Sequence, residues 1–283
     1  MTFPRSVLAL VLAAALPVLT SAAVAQDGHD TPLPPKLQWS FAGPFGKFDR
    51  AQLQRGFKIY REVCANCHSL SMIAFRNLAD PGGPEFSTAQ AQTVAAEYKI
   101  KDGPNDQGEM FDRPGRLADY FPPPFPNEQA ARASNGGSLP PDMSVLAKAR
   151  TYERGFPWFV IDMVTQYQEQ GVDYIAAILK GYEQKPADMQ MAPGMMYNKY
   201  FPGHGIGMPP PISDGQVPFD DGSPATLDQY SRDISAFLMW TAEPHLEDRK
   251  RIGFQVMIFL IVFAGLLYFT KKKVWADVKA GRV

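Results

Sequence analysis

Cysteine is nearly absent from this chain and histidine is scarce: its 283 residues include two of the first and four of the second. The two cysteines, Cys64 and Cys67, lie three positions apart, which excludes a framework of structural disulfides in any compartment. A closed zinc site needs four ligands, and no second Cys/His cluster exists to supply them. An excess of one charge is missing too. With 28 Lys and Arg against 29 Asp and Glu the formal net charge is -1, and no basic stripe is present to neutralise phosphates, so nucleic acid is not an expected partner. Proline and glycine are plentiful, at 26 and 23 residues, and their scatter reads as loop punctuation in a folded domain.

Two hydrophobic segments decide the compartment. Val7–Ala15 follows Arg5 and precedes Pro17; it is short for a bilayer span, and Ala23-Val24-Ala25 offers the small residues of a cleavage site before Gln26. Residues 1–25 are therefore expected to be a cleaved signal peptide. The alternative is an uncleaved anchor beginning near Ser6. The second segment, Ile252–Thr270, is uncharged and long enough to cross the hydrocarbon as a helix. Lys271, Lys272, Lys273, Lys279 and Arg282 favour a cytoplasmic C-terminus, while Arg249, Lys250 and Arg251 weaken that asymmetry. The export signal breaks the tie. The expected layout is an exported domain over 26–248, a transmembrane helix over 249–271 and a cytoplasmic tail over 272–283, which in a bacterium means a single-pass inner-membrane protein facing the periplasm.

Cys64-Ala65-Asn66-Cys67-His68 is a CxxCH, the sequence of c-type haem attachment. Two thiols one helical turn apart reach the two vinyl groups of one porphyrin, and the adjacent imidazole becomes an axial iron ligand. A redox dithiol also uses CxxC, but the histidine, the exported compartment and the lack of a βαβ pattern oppose it. Leu53, Phe57, Tyr60 and Cys64 recur at helical spacing, so the cysteines are expected to end an amphipathic helix. Asp49 is placed to cap that helix, with Gln52 completing a capping box and Phe48 and Leu53 forming a hydrophobic staple.

A histidine-ligated c haem takes methionine or histidine opposite, and methionine raises the potential. Of twelve methionines, Met208 stands out because Gly205-Ile206-Gly207-Met208-Pro209-Pro210-Pro211 is a loop of restricted freedom. Its glycines permit close approach to a porphyrin edge. Met195, Met196 and His204 are the rivals; His29 and His245 read as exposed or capping residues. A second amphipathic helix follows, with Ser223 as its expected cap, Pro224 in its first turn, and Leu227, Tyr230, Ile234, Phe237 and Leu238 on one face. Haem helix, methionine loop and C-terminal helix occur in the order of small cytochromes c.

Four longer stretches carry a more specific likeness: RGFKIYREVCANCHSL from Arg55, the run from Asp102 to Arg150, YFPGHGIGMPPPI from Tyr200, and the run from Phe219 to Gly253. In these the chain resembles the cytochrome c1 family in its bacterial form, from about Lys36 onward. The resemblance implies a mainly α fold, a cytochrome c-like haem domain with long Pro/Gly-rich loops, plus one C-terminal transmembrane helix. It implies one covalently bound haem c, with Cys64 and Cys67 as thioether residues, His68 and Met208 as iron ligands, and Arg150 pairing with a haem propionate. Asn135, Leu139 and Pro140 lie in the block that wraps the haem edge. Thr151–Gln170 departs from shorter mitochondrial members as extra material before a helix over Asp173–Gly181, and Phe156–Tyr167 is apolar enough to pack.

The implied role is the electron-transfer subunit of ubiquinol–cytochrome c oxidoreductase, not an enzyme on its own. One electron arrives from the Rieske iron–sulfur protein and leaves to a soluble cytochrome c; cytochrome b and membrane lipid complete the surroundings, in a dimeric bc1 complex. Glu97, Asp102, Asp106 and Glu109 form a candidate acidic dock for a basic cytochrome c, set against an ordinary solvated loop. The competing functions are a stand-alone membrane-anchored electron shuttle and a haem enzyme with an open iron position.

Overall fold

The computed structural model describes residues 31–152, 155–165 and 169–282; the expected signal peptide lies outside them. Helix α1 (Arg50–Glu62) begins where expected, with the Asp49 side chain accepting from the Gln52 backbone N–H at 3.2 Å. The capping box stays half made, because the Gln52 amide donates instead to Asp233 at 3.1 Å. Phe48 and Leu53, the expected staple, are both buried in the core. The helix buries Leu53, Gly56, Phe57, Ile59 and Tyr60 and ends before the cysteines, which sit on a separate 3-10 turn, Cys64–Asn66.

After a second 3-10 turn (Phe75–Ala79) come α2 (Thr88–Ala96), an antiparallel hairpin of β1 (Lys99–Asp102) and β2 (Phe111–Pro114), and the short helices α3 (Glu128–Ser134) and α4 (Leu146–Ala149). Helix α5 (Trp158–Thr165) falls in the apolar segment expected to pack. Of the side chains described there, Phe156, Trp158, Val160 and Ile161 are exposed, against that expectation, and Asp162 is buried. Helix α6 (Gln170–Lys180) starts three residues earlier than expected and ends at Gly181. A ribbon of β3 (Met196–Tyr197) and β4 (Gly205–Ile206) precedes α7 (Leu227–Ala242).

The expected cap of α7 was displaced as well. Thr226, not Ser223, accepts from the Gln229 N–H. The backbone N–H of Ser223 donates to Asp221 at 3.0 Å and that of Leu227 to Asp214 at 2.5 Å, so Pro224 stays in the loop. The Asp221 turn is local and competes with helix at Ser223, whereas Asp214 reaches across 13 positions to the first N–H of α7. Helix α8 (Leu246–Val274) follows at once, with the exposed His245 at its cap, and α9 (Ala276–Lys279) ends the described chain. Helix α8 is long and apolar enough to cross a membrane, with a mean hydropathy of 2.4 over its most apolar stretch.

The core centres on the crossing of α1 and α7, with α6 on another side of α7. A Cβ on Gly56 would lie 2.2 Å from the Asp233 carbonyl oxygen and 2.5 Å from Phe237 Cβ, so the two backbones meet where only a glycine fits. Arg55 Nε and Asp233 pair beside the crossing at 2.7 Å. Phe57, Tyr60, Phe75, Tyr98, Phe121 and Phe237 form a continuous aromatic cluster below it, tightest between Phe75 and Phe121 at 4.3 Å. Replacing Gly56 by alanine forces the helices apart and should cost about 1–3 kcal/mol, read as a clear fall in the thermal midpoint of the detergent-solubilised protein. An unchanged midpoint would show that the helices do not pack at Gly56.

Candidate functional site

Helix α1 delivers the CxxCH to a tight turn. The Cys67 and His68 N–H groups both donate to the Cys64 carbonyl, at 3.1 and 2.9 Å, which reverses the chain and sends His68 inward. His68 is buried, and its Nδ1 lies 2.8 Å from the Pro141 carbonyl oxygen. A carbonyl only accepts, so Nδ1 carries the proton and Nε2 keeps the lone pair for a metal. Burial lowers the His68 pKa and favours that neutral form, against a smaller opposing effect of the Pro141 contact. The Tyr60 hydroxyl donates to the His68 carbonyl at 3.3 Å.

Neither thiol is in a disulfide. Burial pushes the Cys64 thiol up to about 12, with the neighbouring Cys67 adding to the effect. A reactive redox pair depresses a thiol pKa, so this turn is poorly built for dithiol exchange. A covalently held haem suits it better, since the turn carries two thiols outside any disulfide next to an imidazole with one nitrogen engaged and the other free.

Asp142 fastens this turn to the chain that passes it. Its carboxylate accepts from Ser69 Oγ at 2.8 Å, the Ser71 N–H at 2.9 Å and the Ser144 N–H at 2.7 Å. The Met143 N–H donates to the Ser69 carbonyl at 2.9 Å, and the Met72 N–H to Ser144 Oγ at 3.0 Å. Burial works to raise the Asp142 pKa, but the hydrogen bonds from Ser144 and Ser71 prevail and hold it at about 2.

The same passing segment reaches the methionine loop. A Cβ on Gly207 would stand 2.2 Å from Ser138 Oγ, so the methionine loop passes close against Ser138; the sequence had suggested only a porphyrin edge. Ser138 and Pro141 thus join the Met208 loop and the His68 imidazole through four consecutive residues. Met208 itself is half-buried just after β4, and its carbonyl accepts from Tyr182 Oη at 3.0 Å. His204 lies in the ribbon's own turn: its ring stacks on Tyr197 at 5.4 Å and its Nδ1 lies 3.3 Å from the Asn198 carbonyl. Met195 and Met196 are each about 40% exposed, at 40% and 42%.

Arg150 ends α4 with an exposed side chain close enough to Tyr174 for its charge to act there. In the segment containing Asn135, Leu139 and Pro140, the contacts to the CxxCH turn come from Pro141 and Asp142, and Ser138 lies against Gly207. A carbonyl contact across 73 positions leaves no mark in local pattern; the acid between two serine-bearing segments was the one available hint. The acidic group divides. Asp102 pairs with Arg113, and Glu97 with Arg61 at 3.5 Å, while Asp106 and Glu109 are exposed on the β1–β2 loop.

The model of the Cytochrome C1 family matches residues 39–278. A cytochrome b/c1 of Bradyrhizobium diazoefficiens is 66% identical over 271 residues, covering 95% of this chain and 39% of that relative, so the chain spans well under half of its length. A cytochrome c1 of Blastochloris viridis is 52% identical over 258 residues, with 90% of each chain covered. A mitochondrial cytochrome c1 heme protein of Solanum tuberosum is 38% identical over 266 residues, covering 94% of this chain and 93% of its own.

The carboxylate of Asp142 offers a check on the clamp. Its pKa lies below the ordinary value of about 3.9, so its contribution to stability is present above that value and is lost as pH falls toward about 2. Asp142→Asn should lower the thermal midpoint at neutral pH and flatten the acid-induced loss between those limits. A variant with the wild-type acid profile would remove Asp142 from the clamp.

Proposed function

The chain belongs to the cytochrome c1 family, and from that premise we propose that it is the haem c electron-transfer subunit of a ubiquinol–cytochrome c oxidoreductase. The observation that carries this reading is the 2.8 Å contact that fixes the His68 imidazole on a turn bearing two free thiols, beside the Met208 loop. Cys64 and Cys67 would hold the haem by thioethers, with His68 Nε2 and the Met208 sulfur as its iron ligands. When bound, the haem takes up one electron and gives it up again. No proton or substrate bond need move on this chain.

The protein's part is to hold both ligands still. The Pro141 carbonyl fixes the His68 tautomer and strengthens the imidazole as a donor. Tyr182 and Ser138 restrain the loop that carries the weaker thioether ligand. Met208 is preferred to His204 on the family resemblance and its Gly/Pro loop, since the Asn198 contact involves only Nδ1 of His204. Arg150 is the proposed partner of a haem propionate, on the family resemblance and as an exposed guanidinium able to pair with a carboxylate.

The electron is proposed to come from a Rieske iron–sulfur protein and to go to a soluble cytochrome c. Cytochrome b is the proposed membrane neighbour, in keeping with a relative whose name joins b and c1. The proposed setting is a dimeric complex in the bacterial inner membrane. In it residues 26–248 carry the haem on the periplasmic side, 249–271 span the lipid and 272–283 lie in the cytoplasm, after removal of residues 1–25. Copurification with cytochrome b is expected from membranes; its absence would favour a lone anchored shuttle.

Met208→Leu should lower the reduction potential markedly and let the reduced iron bind carbon monoxide. A near-normal potential in that variant would transfer the ligand role to Met195 or His204. Neutralising Glu97, Asp102, Asp106 and Glu109 together should flatten the salt dependence of electron transfer to a basic cytochrome c, with most of the effect from Asp106 and Glu109. Unchanged salt dependence would place the dock elsewhere.

A further inference from the structure

The segment Phe41–Gly46 holds a short apolar loop against the start of α8. Phe41 is buried at the loop's base, whereas Phe45 at its tip is 70% exposed. The Phe45 ring meets the Phe254 ring edge-on, with centroids 5.3 Å apart and planes at 75°. Phe254 is itself 52% exposed and lies two residues beyond Ile252, where the charged run Arg249-Lys250-Arg251 gives way to uninterrupted apolar sequence.

The loop is not loosely placed. Lys250 Nζ donates to the Phe41 carbonyl at 2.5 Å and to that of Gly46 at 3.4 Å. The Phe48 N–H donates to Glu247 at 3.0 Å, and Arg50 pairs with Glu247 at 2.7 Å. Both ends of the loop are therefore tied to the first turns of α8, and Phe45 is carried one to two turns further along it, past the last charge. Between Phe41 and Lys47 the chain carries no charged side chain.

An exposed aromatic pair at the level where a span turns apolar matches the interfacial belt in which aromatic rings anchor proteins to lipid. We propose that the loop Ala42–Gly46 is a membrane-interface anchor, with Phe45, seated on Phe254, entering the boundary between headgroups and acyl chains beside the span. This rests on the reading of Leu246–Val274 as the membrane helix. Continuity with that helix selects lipid as the occupant, because the ring lies on the helix flank that leads straight into the hydrocarbon. Anchored at both the helix and the loop, the domain would be held at one tilt over the bilayer rather than swivelling on a single stalk.

The scarcity of cysteine makes the test direct. In the haem-loaded full-length protein both native thiols would be consumed, so a cysteine introduced at Phe45, Val262 or Asp106 can be labelled alone with a nitroxide. With the protein in phosphatidylcholine vesicles, label collisions with oxygen and with a water-soluble nickel chelate are compared. The Phe45→Cys label should collide with the nickel chelate several-fold less often than the Asp106→Cys label and favour oxygen, as the Val262→Cys label does. Pro44→Cys, exposed on the same loop, serves if Phe45→Cys fails to load haem. A Phe45 label as aqueous as that at Asp106, with Val262 in hydrocarbon, overturns the anchor but leaves the span intact. An aqueous Val262 label overturns both. Protection of Phe45 that appears only in the assembled complex with cytochrome b would make a protein surface the occupant and overturn the proposal.

Discussion

The near-contact of two backbones at Gly56 sets the geometry of the whole domain. A side chain there would enter the Asp233 carbonyl, so α1 and α7 approach as closely as helices can and fix each other's direction. Everything functional hangs from these two rods. The CxxCH turn leaves the end of α1, while α7 leads within four residues into α8, the candidate span. The Arg55–Asp233 pair is desolvated on the aspartate side, and Gln52 and Gln229 also donate to that carboxylate. A buried charge with several donors is costly to break, and this one locks the crossing in register.

A second device brings the two halves of the site together. The chain from Ser138 to Asp142 is a strap with no regular structure of its own. It touches Gly207 on one side and His68 on the other, and Asp142 draws it onto the serines that follow the CxxCH. Such a strap suits a ligand pair of unequal strength. The imidazole is oriented by a hydrogen bond at its far nitrogen, while the thioether, which has no second group to hold, depends on the stiffness of its loop.

Local chemistry made much of this legible in the sequence. Asp49 caps α1, the CxxCH turns where the spacing requires it, and the long apolar run is one continuous helix. One failure was also local: Ser223 looked like a cap, yet Asp221 holds it in a turn and Thr226 takes the role. The strap was illegible for a different reason. A carbonyl at Pro141 and a hydroxyl at Ser138 become partners only after folding brings distant segments together, and no periodicity records it. Phe156, Trp158, Val160 and Ile161 show the reverse limit, since apolar composition suggested burial and the structure leaves them exposed. Gly207 was expected to allow approach to a porphyrin edge, and the neighbour the structure sets against it is Ser138.

The central claim is that the strap presents His68 Nε2 and the Met208 sulfur to one haem iron. Near-infrared magnetic circular dichroism of the oxidised, detergent-solubilised protein tests it most directly, because the ligand-to-iron charge-transfer band differs between sulfur and nitrogen axial donors. The account predicts the band of histidine–methionine ligation. A band characteristic of two imidazoles would contradict it and return His204 to the iron.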